Sequence, residues 1–96
     1  MKGKKNQYQL ILVLNPKIED KENILKKITT WLETKKVEFN QVHLGLKELV
    51  YEIKKNTKGD FWSLDLNSEL PIKLKEFNLL LNRESNIIRY LILKKE

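Results

Sequence analysis

Apolar and polar positions along the chain switch between two periods, and each switch marks an element. Residues 8–14, YQLILVL, are apolar at nearly every position and too few for a helix. Such a run predicts a strand near the middle of a sheet, covered on both faces or nearly so. Asn15-Pro16 ends it, because proline disfavours helical geometry at the preceding residue and has no amide proton. Over 19–36, Ile24, Leu25, Ile28, Trp31 and Leu32 fall three and four apart, the spacing of one helical face. Glu19, Asp20 and Glu22 at the start and Lys35 and Lys36 at the end suit the helix dipole.

The next pattern, over 37–53, alternates but slips phase twice. Val37 and Phe39 come first, then Val42, Leu44 and Leu46, then Leu49, Tyr51 and Ile53. Two slips predict bulges in one long bent strand, with Gly45 where a bend costs least. Residues 54–59 predict a turn between two packed arms, with Asn56 and Gly59 tolerating turn geometry. The return strand spans 61–66, with Trp62, Leu64 and Leu66 on one face. Leu70, Leu74, Phe77 and Leu81 mark a second amphipathic helix, with Ser68 as its cap and Pro71 in its first turn. A last strand, IIRYLIL, spans 87–93. The order βαββαβ predicts an α+β, ferredoxin-like fold: a four-stranded antiparallel sheet with two helices on one face. Residues 1–7 read as a basic N-terminal arm and 8–95 as a single domain.

Charge then points to a class of partner. Nineteen Lys and Arg against thirteen Asp and Glu give a net charge of +6 and a pI near 9.5. That balance favours a polyanion, nucleic acid first and an anionic membrane surface second. The longest apolar run, 10–14, is far short of a membrane span or a signal-peptide core, and cysteine is absent. The expectation is a soluble, intracellular protein without disulfides.

Catalytic chemistry finds no constellation. His43 is the sole histidine, Asp60 and Asp65 share a strand without a metal-ligating neighbour, and the three glycines are too scattered for a phosphate loop. No catalytic residue, metal, cofactor or small-molecule substrate is therefore expected. A dimerising interaction module and a small enzyme or ligand sensor on the same fold are the rival functions.

The basic residues fall in two groups: Lys54, Lys55 and Lys58 at the hairpin tip, and Lys2, Lys4 and Lys5 in the arm. With the first and third strands central, both groups are expected near one end of the sheet, where they would cooperate on phosphates. Charge alone slightly favours the plainer reading, a solvated turn that is basic for solubility. Base stacking of the RRM kind needs a glycine-flanked aromatic cluster on the third strand. GDFWSLDL instead puts Phe61 and Trp62 on opposite faces, Trp62 toward the core and Phe61 toward the open face or a protein partner.

Taken together, LGLKELVYEIKKNTKGDF and NRESNIIRYLILKK resemble the bacterial-type small-subunit ribosomal protein six family, and the likeness spans residues 8–95. Members open with a tyrosine-led strand running into Asn-Pro or a similar break, here 8–16. They carry a glycine, two basic residues, Leu-Ala-Tyr-Pro-Ile and a lysine before a Gly-Tyr turn. The counterparts are Gly45, Lys47, Glu48, Leu49, Val50, Tyr51, Glu52, Ile53, Lys54 and Gly59. The last strand matches through Ile88-Arg89-Tyr90-Leu91. Glu48, Glu52 and Asp60 depart from the pattern, each adding negative charge to the hairpin, and all three are expected outside the core. The resemblance implies a structural protein that binds the central domain of small-subunit ribosomal RNA with ribosomal protein eighteen. It implies phosphate contacts by Lys47, Lys54, Lys55, Lys58 and Arg89, assisted by Lys2, Lys4 and Lys5.

Overall fold

Tyr8, Leu10, Leu12 and Leu14 all point to one face of β1 (Asn6–Leu14) and are buried. That face is the floor of the core. The computed structural model describes residues 6–19, 21–53 and 55–95, and in it β1 is followed by α1 (Lys21–Thr34), β2 (Glu38–Ile53), β3 (Asn56–Ser68), α2 (Leu74–Arg83) and β4 (Ile87–Lys95). The strands form one antiparallel sheet in the order β2-β3-β1-β4. This is the ferredoxin-like arrangement expected from the order of elements.

Both helices cover the Tyr8–Leu14 face. Ile24, Leu25, Ile28 and Leu32 of α1 and Phe77 and Leu81 of α2 enter the same core as Leu64 and Leu66 of β3. Trp31 stacks on Phe77 with ring centroids 4.7 Å apart, joining the two helices. The other face of β1 is not covered by helices. Gln7 is exposed and Gln9 and Ile11 are half-buried there, while Val13, beneath the hairpin, is buried, so the expected two-faced burial holds at the hairpin end of β1 alone.

Several boundaries shift for physical reasons. The α1 helix closes at Lys36, whose φ of 59° is left-handed, with the Val37 N–H donating to the Leu32 carbonyl at 2.8 Å. Ser68 does not cap α2: β3 stays paired with β1 as far as Asn6↔Ser68. The chain then needs residues 69–73 to turn back, which leaves Pro71 outside the helix and Leu70 on the surface. Lys73 occupies the N-cap position without a side-chain hydrogen bond.

Pairing is regular from Glu38 to His43, through the slip expected after Phe39, and the two register shifts of the β2–β3 ladder fall between His43 and Gly45 and, beside the slip expected after Leu46, between Glu48 and Ile53. Gly45 takes a φ of 100° at the first of them. The arms do not both pack, however. β2 is an edge strand, and Val42, Leu44, Leu46, Val50 and Tyr51 are exposed along it.

The turn is also tighter than expected, since Ile53 already pairs with Asn56 and Lys55 carries the positive φ. Gly59 is not a turn residue but lies inside β3, opposite Lys47. A β-carbon there would come within 2.3 Å of Val13 Cγ1 and 3.3 Å of Leu49 Cδ2. The missing side chain lets β1 and the hairpin close on each other.

Gly59→Ala is expected to destabilise the fold by about 1–3 kcal/mol through overpacking against the stiff Val13 side chain. Adding Val13→Ala should recover part of that loss, so the two costs combine to less than their sum. Urea denaturation of the two single variants and the double variant measures the coupling; strict additivity would remove the steric account.

Candidate nucleic-acid interface

The hairpin β2–β3 outruns the sheet. The last pair of β1 with β3 is Leu14↔Asp60, so residues 56–59 of β3 pair with β2 alone. At the root of this projection Asp60 is buried under α1, at 3% exposure. Its Oδ1 lies 2.6 Å from His43 Nε2, and its Oδ2 accepts from Trp62 Nε1 at 3.0 Å and from Lys21 Nζ at 3.1 Å. His43 stacks on Trp62 with centroids 4.1 Å apart. One carboxylate thus ties β2, β3 and the first turn of α1 together. Burial pushes its pKa up, but the hydrogen bonds from His43, Trp62 and Lys21 outweigh this and leave it below the ordinary carboxylate value.

Asp60 was expected outside the core, as negative charge added to the surface of the hairpin. The structure corrects that: the charge is internal and saturated by donors. Asp65 behaves differently, pairing on the surface with Lys95 at 3.0 Å. Among the described residues there is no cluster of His, Asp and Glu able to hold a metal ion.

The cations of the hairpin end divide between two faces. Lys47 lies opposite Gly59 on the open face, its Nζ 5.9 Å above the Phe61 ring. Arg89 shares that face, paired with Val13. Between them the hairpin curls over the sheet and leaves an apolar groove of about 340 Å³, lined by Ile11, Val13, Leu49, Tyr51, Phe61 and Leu91 among others. On the helix side, Lys55 and Lys58 line a second, smaller cleft. Among the described residues no carboxylate lies within ion-pair distance of Lys47, Lys55, Lys58 or Arg89.

The expected partnership of hairpin and arm is not borne out by the topology. Lys2, Lys4, Lys5 and Lys54 lie outside the described residues. The strand that the arm leads into, however, begins at Asn6 beside Ser68, at the end of the sheet opposite the hairpin turn. The residue that does approach the hairpin lysines is Lys17, which follows the Asn15-Pro16 break and was missed in the sequence. The signal was present, since a lysine directly after the C-terminal end of a central strand must sit at the hairpin end.

Comparison with known proteins decides what kind of molecule carries this geometry. The family described as ribosomal protein S6 matches residues 7–94. The chain belongs to that family. The small ribosomal subunit protein bS6 of Phytoplasma mali is 33% identical over 95 residues, covering 94% of this chain and 98% of that protein. Its namesake in Bacteroides fragilis is 28% identical, with 95% and 82% covered. Among solved structures, 30S ribosomal protein S6 from Thermotoga maritima superposes with a TM-score of 0.86 at 22% identity, covering 96% of this chain and 89% of that one. The CheA P2 domain from the same organism, solved in complex with CheY, reaches a TM-score of 0.61 at 18% identity, with 96% and 100% covered. That second likeness is one of fold alone, and it shows how little this fold decides about function.

As an S6-family member the chain is a structural component of the small ribosomal subunit and not an enzyme. No helix among the described residues is long and apolar enough to cross a membrane. Within the S6 frame, the three departures from the family pattern separate by location. Glu48 and Glu52 are exposed on β2, whereas Asp60 is buried.

Because folding lowers the Asp60 pKa, the unfolded chain takes up its proton first as the pH falls. The stabilisation from this carboxylate is therefore complete above the ordinary carboxylate range and is lost as the pH drops through the folded-state value. Asp60→Asn should cost about 1–3 kcal/mol at pH 7 by replacing the buried carboxylate with an amide that has one acceptor oxygen for the three donors His43, Trp62 and Lys21. The gap between wild type and variant should close in strong acid. Urea titrations at neutral and acid pH check the sign, and a gap indifferent to pH would place the stabilisation elsewhere.

Proposed function

We propose that this S6-family protein binds the central domain of small-subunit ribosomal RNA, together with ribosomal protein eighteen of the small subunit. The observation that carries the reading is the set of unpaired cations at the hairpin end: Lys47, Lys55, Lys58 and Arg89. A cation without a carboxylate partner keeps its full charge for a phosphate, and releasing the phosphate's counterions drives association. Lys54, and in an assisting role Lys2, Lys4 and Lys5, are given the same part. Such contacts fix position and orientation and carry no sequence information of their own.

Selectivity is then assigned to RNA shape and to the neighbouring protein. The groove beside Phe61 supports a protein neighbour, since it is apolar at its base and flanked by the exposed Val50 and Tyr51. Apolar surface of this kind gains more from a partner's side chains than from a phosphate backbone. Lys47 and Arg89 border the same groove, so RNA and protein would meet on adjoining surfaces.

In filter binding with a central-domain RNA fragment, affinity is expected to rise when ribosomal protein eighteen is added. The pair Lys47→Gln and Arg89→Gln should reduce the slope of log affinity against log salt by about 0.7–0.9 for each cation removed. Sedimentation of the isolated chain provides the contrary outcome. A tight homodimer without RNA affinity would replace this reading with that of a dimerising module.

A further inference from the structure

The β1–α1 turn and the hairpin tip are far apart in sequence but enclose one cleft of about 260 Å³, lined by Pro16, Lys17, Leu46, Lys55, Thr57 and Lys58 among others. Three of its residues are lysines. Among the described residues that line it none is acidic, although the protein carries thirteen carboxylate side chains. Of the two acids beside the cleft along the β2–β3 ladder, neither forms an ion pair with a lysine of the cleft. Asp60, directly across from Leu46, is buried with both oxygens occupied by His43, Trp62 and Lys21. Glu48 is directly across from Lys58, yet no ion pair joins the two. Among the described residues no carboxylate lies within ion-pair distance of Lys17, Lys55 or Lys58.

Both walls are fixed by short-range bonding. The Lys17 N–H donates to Asn15 Oδ1 at 3.0 Å, and the Asn15 N–H donates to the Asn86 carbonyl at 2.8 Å, which pins the turn after β1 to the loop before β4. Opposite it, Lys55 sits in the left-handed region that closes the hairpin, next to the Ile53↔Asn56 pair. The Asp60–Lys21 contact joins the two walls just below, because Lys21 opens α1 and Asp60 belongs to β3. Three ammonium groups on separately anchored backbone do not need to gather when an anion arrives, and this reduces the ordering cost of binding.

We infer that the Lys17–Lys55–Lys58 cleft is a dedicated site for a backbone phosphate of RNA. The inference rests on the ribosomal RNA reading above and deepens it: it moves the strongest phosphate contact to the helix side of the hairpin and adds Lys17 to it. Lys47 and Arg89, on the open face, belong to a different contact.

Two measurements on the full chain test this separately from the parent reading. In the first, amide shifts are followed by NMR as inorganic tripolyphosphate is added. Saturable shifts concentrated at Lys17, Lys55, Thr57 and Lys58 are expected, whereas weak, unsaturable shifts spread over all surface lysines would overturn the site. In the second, the salt slope for central-domain RNA is measured for Lys17→Gln, Lys58→Gln and Lys75→Gln. The two cleft variants should each reduce the slope by about 0.7–0.9, and Lys75→Gln on α2 should leave it unchanged. RNA binding that persists with an unaltered slope in the cleft variants would overturn the cleft while sparing the RNA reading. Saturable tripolyphosphate binding in a chain without RNA affinity would do the reverse.

Discussion

A buried carboxylate at the root of a projecting hairpin is the constraint on which the rest of this structure depends. An ionised group in an apolar interior is costly unless donors surround it, and three donors from three elements surround Asp60. The arrangement fixes the hairpin's angle relative to α1. The charge at the tip is then borne by a lever with a defined direction, not by a loose loop. Gly59, one residue before Asp60, completes the joint by admitting Val13 and Leu49 into contact distance. Packing and charge meet within two consecutive residues.

From that joint the division of labour between the faces follows. Alternation along β3 sends Asp60, Trp62, Leu64 and Leu66 toward the helices and Gly59 and Phe61 toward the open side. The same alternation, interrupted by the bulges of β2, places Lys47 with Phe61 on the open side and Lys58 with the β1–α1 turn on the other. A basic hairpin thereby offers two unlike surfaces, one an apolar groove bordered by cations and one a smaller cleft lined by three lysines. For a component of a ribonucleoprotein particle, a surface suited to protein lying next to a surface suited to phosphate is a natural division.

Much of this could be read from residues alone. The three-and-four spacing of Ile24, Leu25, Ile28, Trp31 and Leu32 located α1, because helical burial imprints its period on the sequence. Gly45, where a bend costs least, and the slip between Leu46 and Leu49 marked the two irregularities of β2, whereas the slip after Phe39 matched none. Other features resisted. Val42, Leu44 and Leu46 carry the pattern of a packed strand but lie exposed, because β2 is an edge strand and alternation alone does not distinguish an edge from an inner position. Asp60 looked like surface charge because its three donors lie at positions 21, 43 and 62, and only one of them is local.

What the sequence by itself determined is the set of elements, their order, the ferredoxin-like topology and the basic character of the turn; these arise from local periodicity and local turn chemistry, which each segment carries within itself. The tertiary structure alone decided which charges stand together. It put Lys17 beside Lys55 and Lys58, set the start of β1 at the far end of the sheet, and sealed Asp60 beneath α1. The reason is that strand direction and register bring together residues dozens of positions apart, and electrostatic energy depends on those distances and on burial, neither of which is written in the neighbourhood of any one residue.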